Sequence, residues 1–143
     1  MTNIKLSVPS NDLMVGLVGE RDGLLRQIEA AFPQAMISVR GNEVMVNGHE
    51  VDVVGRLFNE LVHLLENGHE LNSRVLDRTI DMIKADEQPS EVLTTEILRT
   101  ARGKSVRPRS SGQMRYFEAV RDGVITFALG PAGTGKSWLA VAM

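Results

Sequence analysis

Residues 130–137, GPAGTGKS, decide how this chain is read. They fit the pattern G-x-x-x-x-G-K-[ST] at every fixed position. Each residue type in it has a physical task. Gly130 and Gly135 are expected to take backbone angles that side chains forbid. Successive amide N–H groups then face inward and form an anion nest. A helix starting near Gly135 adds its positive N-terminal end. Lys136 is expected to reach the β- and γ-phosphates of a nucleotide as a point charge, and the Ser137 hydroxyl to ligate Mg2+. Pro131, Ala132, Gly133 and Thr134 complete the expected contact set, and Gly133 with the Pro131-Ala132 pair fits common forms of such a loop.

The flanks agree with that reading. Val124 to Leu129 is a continuous apolar run, expected to be a strand buried on both faces of a parallel sheet. "WLAVAM", residues 138–143, is an apolar helix start. Asp122-Gly123 reads as a turn, and Gln113 to Arg121 as a short helix with Met114, Phe117 and Val120 on one side. Gln113 stands seventeen positions before Gly130. Its amide can donate and accept together, so it is expected to read an adenine edge, with Tyr116 and Phe117 near enough to stack on the base.

Further back, "RGKSVRPRSSG", residues 102–112, is basic and aperiodic and reads as a linker. Ser73 to Lys84 places Leu76, Ile80 and Ile83 together. Pro89-Ser90 opens another helical patch that carries Val92, Leu93, Ile97 and Leu98. The first 68 residues have a clearer pattern. Ile4 to Val8 alternates with period two, as in a half-buried strand. Ser10, Asn11 and Asp12 offer caps for a helix, "NDLMVGLVG". Asp22 is expected to cap a second helix, with Leu24, Leu25, Ile28, Ala31 and Phe32 on one face and Pro33 at its end. Ala35 to Val39 reads as a strand, "RGNE" at 40–43 as a tight hairpin turn, and Val44 with Val46 as the returning strand. A helix from about Glu50 to Glu66 carries a broad apolar stripe and ends at Asn67-Gly68, a left-handed cap. The order is strand, helix, helix, strand, strand, helix. The expected domains are therefore an α+β unit at 1–68, a helical connector at 69–101, the basic linker at 102–112, and an incomplete α/β domain from 113 to 143.

Composition bounds the rest. The chain has 143 residues, no cysteine and a formal net charge of −2. From Arg99 to Arg121 seven basic residues face one acid, whereas from Glu50 to Leu98 eleven acids face four bases. Such asymmetry suggests two regions with different partners. No run approaches a membrane span and no signal peptide is visible, which fits a cytoplasmic location. His49, His63 and His69 lack companions at ligand spacing, which argues against a metal site built from the protein alone.

With these residues in hand, the chain resembles the PhoH-like family. The likeness runs through "VRPRSSGQMRYFEAVRDGVITFALGPAGTGKSWLAVAM", residues 106–143. The leader, "LVGERDGLLRQIE" followed by "ISVRGNEVMVNG", is similar to the family's KH-like unit. The resemblance implies a βααββα KH-like domain followed by the start of a P-loop NTPase domain of the RecA/helicase kind. It also implies ATP and Mg2+ as ligands, hydrolysis in a full-length parent, and a role in RNA metabolism with single-stranded RNA as partner. The parent is free to oligomerise, and no membrane partner is implied. The Walker B acid and later catalytic groups should follow residue 143, so the resemblance implies an N-terminal fragment, inactive alone, with no catalytic residue of its own.

Two details bear on RNA. A KH domain grips RNA backbone with a G-x-x-G loop. Gly16-Leu-Val-Gly19 has the spacing, but its interior is apolar, which favours a packing module with Leu17 and Val18 in the core. The alternative to an ATP-binding chain is a non-enzymatic RNA-binding module made of the KH-like unit and the basic linker. A small-molecule kinase sharing the loop is a third reading; Gln113 and the lack of an obvious lid argue against it.

Overall fold

A computed structural model describes residues 2–143. The chain forms two compact units, the first ending at Ser90 and the second spanning Glu91–Met143. The fold is mixed α/β with small sheets and several helices.

In the first unit, β1 (Asn3–Ser7), β2 (Ala35–Arg40) and β3 (Glu43–Gly48) form an antiparallel sheet in the order β1-β3-β2. Its register sets Ile4 and Ile37 on either side of Val46, and Leu6 and Val39 on either side of Val44. Period two therefore puts these six apolar side chains on one face. Val44 and Val46 in the central strand are fully buried. The β2–β3 turn falls at Gly41-Asn42, with Gly41 at φ 57°, as "RGNE" led one to expect.

Helices cover that face: α1 (Asn11–Val18), α2 (Gly23–Ala31), α3 (Val51–Glu66) and α4 (Ser73–Lys84). Met14 and Leu17, Leu24 and Ile28, Val54, Leu57, Phe58 and Leu61, and Leu76, Ile80 and Ile83 join one core. The Ser10 hydroxyl accepts from the Leu13 N–H at the start of α1, and Asn72 Oδ1 accepts from the Val75 N–H at the start of α4. Helix α3 ends in a Schellman motif: His69 N–H donates to Leu64 O, and Gly68, at φ 77°, donates to Leu65 O. Asp22 differs from expectation. It takes a left-handed conformation (φ 58°) and makes no side-chain cap, because a single 3-10 turn at Glu20–Asp22 already leads into α2.

The Gly16-Leu-Val-Gly19 stretch is a packing device here. Its first three residues lie inside α1, and Leu17 is 2% exposed. A Cβ on Gly16 would come within 3.0 Å of Leu65 Cδ2 on α3, so the small residue lets the two helices approach. Gly19 (φ 75°) makes the turn, where a Cβ would strike Leu24.

The second unit is sparser. Helix α5 (Pro89–Thr94) enters it from the first unit and stops before Ile97 and Leu98, which the sequence pattern had placed on the same helix. Instead β4 (Leu98–Arg99) pairs antiparallel with β5 (Ser105–Val106), so part of the expected linker is a two-stranded ribbon. Thr100 N–H donates to Lys104 O at its closed end, and Gly103 supplies the left-handed residue (φ 78°). Helix α6 spans Ser111–Asp122, starting two residues before Gln113, and α7 spans Lys136–Ala142.

The expected strand at Val124 to Leu129 is absent. The segment is irregular, and Val124, Ile125, Phe127 and Leu129 are exposed. A strand exists through its ladder of backbone hydrogen bonds. Among the described residues none pairs with this segment, so apolar composition alone does not make it one.

Candidate functional site

The Ser110-Ser-Gly-Gln113 sequence starts α6 and begins the site. Ser110 Oγ accepts from the Gln113 N–H at 3.3 Å, and Gln113 Oε1 reaches back to accept from the Arg109 N–H at 2.7 Å. This reciprocal arrangement is close to a capping box, which the S-x-x-Q spacing signals. At the far end of α6, the Gly123 N–H donates to Ala119 O and the Thr126 hydroxyl donates to the same carbonyl. A Cβ on Gly123 would lie 2.7 Å from Ala119 O, so the chain turns there at close quarters.

The GPAGTGKS loop then folds over on itself. Lys136 Nζ donates to Gly130 O and to Pro131 O, each at 2.7 Å, and the Thr134 hydroxyl donates to Pro131 O at 2.9 Å. An ammonium has three N–H donors, so one remains after these two bonds. Gly133 and Gly135 hold positive φ, 79° and 89°. Gly130 does not. The left-handed requirement therefore falls on Gly133 and Gly135, where the pattern alone had pointed to Gly130 and Gly135. Ser137 is exposed in the first turn of α7, and Leu139, 1% exposed, is that helix's buried anchor.

Gln113 closes the arrangement: its Nε2 donates to Thr134 O at 3.0 Å. One turn along α6, the Tyr116 hydroxyl donates to Lys136 O at 3.2 Å. Between α6 and the chain leading into the loop lies a cleft of about 450 Å3, whose lining includes Tyr116, Ala119, Phe127, Leu129, Lys136 and Leu139. That volume suits a small organic ligand. The donor set suits an anion: a cation, backbone amides at left-handed glycines and a hydroxyl. Among the described residues no three His, Cys, Asp or Glu side chains gather as a metal site.

A family model described as PhoH-like protein matches residues 105–143. The chain is 43% identical over 135 aligned positions to a PhoH-like protein of Mycobacterium leprae, covering 92% of this chain and 38% of that protein. Against a PhoH-like protein of Mycobacterium tuberculosis the identity is 41%, with the same coverage. A PhoH-like protein of Bacillus subtilis is 34% identical, covering 97% of this chain and 44% of that protein. Over most of its length the chain is similar to proteins of the PhoH-like family. It spans about two fifths of the length of these curated relatives. No solved structure matches it. Among the described residues, no helix of this chain is long and apolar enough to cross a membrane.

Sequence reasoning singled out Gln113 as a base reader and overlooked its grip on Thr134. The S-x-x-Q capping signature could have shown that the side chain is engaged at the helix start. The Glu96 cluster was also missed. Its carboxylate takes hydrogen bonds from Arg99 Nε and Nη2, and from the Ser105 hydroxyl across the ribbon. Those bonds hold the Glu96 carboxyl below the usual carboxylate range, and raise Arg99.

Proposed function

We propose that this chain is the ATP-binding segment of a PhoH-like ATPase, with Gly130–Ser137 as its phosphate loop. In this reading the first unit is the KH-like domain and the second begins a P-loop NTPase domain. The protein works in the cytoplasm in RNA metabolism. The supporting observation is the loop itself: Lys136 bonded to Gly130 O and Pro131 O, with left-handed glycines at 133 and 135. The remaining ammonium N–H reaches the β- and γ-phosphates, amides from Gly133 to Lys136 surround them, and Ser137 ligates Mg2+. The base enters the cleft beside Tyr116, where the second amide N–H and second carbonyl lone pair of Gln113 read adenine. Hydrolysis is assigned to the whole protein.

The test is calorimetric titration of the 143-residue chain with ATP, with and without Mg2+. Saturable binding is expected, weakened about a hundredfold by Lys136→Ala. Equal binding by the wild type and the variant would sink the assignment.

A second reading, a non-enzymatic RNA-binding module, is favoured by one observation: Arg102 and Lys104 stand exposed at the closed end of the β4–β5 ribbon. It expects oligoribonucleotide affinity that falls steeply between 50 and 200 mM salt. Buried Leu17 speaks against gripping through Gly16–Gly19.

A further inference from the structure

We propose that Gln113 is a positioning residue of the triphosphate site, acting through the Thr134–Gly135 peptide and independently of any base. The proposal rests on the reading of Gly130–Ser137 as a phosphate loop.

A glycine in the left-handed region has no Cβ to bias the orientation of the peptide before it. Gly135 is such a residue, at φ 89°. A peptide unit is planar and trans, so its C=O and N–H point in opposite directions. Whatever holds Thr134 O therefore also aims the Gly135 N–H, one of the donors a phosphate needs. Gln113 Nε2 holds that oxygen at 3.0 Å. The approach is close: a Cβ on Gly135 would lie 3.2 Å from Nε2.

The brace is itself braced. Gln113 Oε1 accepts from the Arg109 N–H at 2.7 Å. The amide is thus oriented by a donor on one side and an acceptor on the other, which leaves one consistent placement of its N and O. Tyr116 lies three residues on, on the same face of α6, and its hydroxyl holds Lys136 O at 3.2 Å. Residues i and i+3 of one helix thus hold two carbonyls that flank the Gly135 peptide nitrogen. No residue of α6 itself is fully buried, so these hydrogen bonds tie helix to loop alongside the buried Leu139 of α7.

The experiment separates this role from base reading by using inorganic tripolyphosphate, which has no base. The 143-residue chain is titrated with Mg-tripolyphosphate and with Mg-ATP by calorimetry, alongside Gln113→Met, which matches the side chain in length and adds no charge. Circular dichroism at the same temperature confirms that each variant is folded. The expected result is a loss of about tenfold in tripolyphosphate affinity, the scale of one hydrogen bond to a preorganised site, whatever further loss ATP shows. Unchanged tripolyphosphate affinity in Gln113→Met overturns the proposal, and a loss confined to ATP would then make Gln113 a base reader. If Gln113→Met does not fold, Tyr116→Phe decides. It removes one hydroxyl, should weaken tripolyphosphate about threefold, and overturns the shared brace if it does not. Failure of the wild-type chain to bind either ligand defeats the phosphate-loop reading itself and is seen before any variant is made.

Discussion

The two units are held together by different forces. Among the described residues, the buried apolar side chains of the second unit are Val92, Pro108 and Leu139, and the others belong to the first. In the first, period-two strands and 3.6-period helices place their apolar faces on one core. In the second, the loop's shape rests on hydrogen bonds between polar groups: Lys136 to Gly130 and Pro131, Gln113 to Thr134, Tyr116 to Lys136. Hydrogen bonds exposed to water contribute about 1 kcal/mol each, whereas one buried Leu contributes about 2 kcal/mol. The contrast teaches that the shape of the GPAGTGKS loop can be drawn locally by glycine and lysine chemistry while most of the stability lies in another part of the chain.

The sharpest way to break the contrast is limited proteolysis. Chymotrypsin should cut after Phe127 and Leu129, exposed in an irregular segment, roughly a hundredfold or more faster than anywhere in residues 3–84. Comparable cutting rates in the two regions would refute it. Next in size, Leu61→Ala empties a fully buried site under the sheet and should cost about 3 kcal/mol in a urea melt of the first unit. Hydrogen exchange should show α6 and α7 unaffected. Lys136→Ala is the converse. It should weaken Mg-ATP binding about a hundredfold, the scale of a lost charge-assisted contact, with no shift in the melt of the first unit. Ser110→Ala removes the cap of α6 and should raise amide exchange in its first turn, at a cost of about 1 kcal/mol of local stability.

The smallest expected effect is acid sensitivity of the ribbon. The folded pKa of Glu96 lies below its unfolded value. Its stabilising contribution is therefore present above the ordinary carboxylate range and is lost as pH falls through the lowered pKa. Amide protection at Lys104 should fall on acidification in wild type and lose that dependence in Glu96→Gln. A wild-type ribbon equally protected in acid would show that the cluster does not hold it.

How much was legible follows the same division. Residues 3–84 could be read because burial imposes periodicity: Leu6 and Val44, or Leu57 and Leu61, stand where an apolar face requires them. The helix ends were legible where a side chain or glycine does the capping, as at Ser10 and Gly68. They were missed where the backbone alone makes the turn, as at Asp22. In the second unit the turn within GPAGTGKS and the helix start after Gly135 were readable because both are local. Val124 to Leu129 was misread because a strand is a property of a pair, and no partner pairs with it among the described residues. The β4–β5 ribbon was missed because each of its strands has two residues, too few for any period to show. Gln113 was located but its contact with Thr134 was not, since a contact across twenty-one positions leaves no trace in spacing.

The single tryptophan, Trp138, follows Ser137 directly, and the single tyrosine is Tyr116, whose hydroxyl meets the loop. Both near-ultraviolet chromophores of consequence thus belong to the second unit, while the first carries only Phe32 and Phe58. Indole emission excited at long wavelength watches the loop and is blind to the sheet and its helices. The molecule comes with its own optical label on the part that has little core, and the part that has most of it is dark.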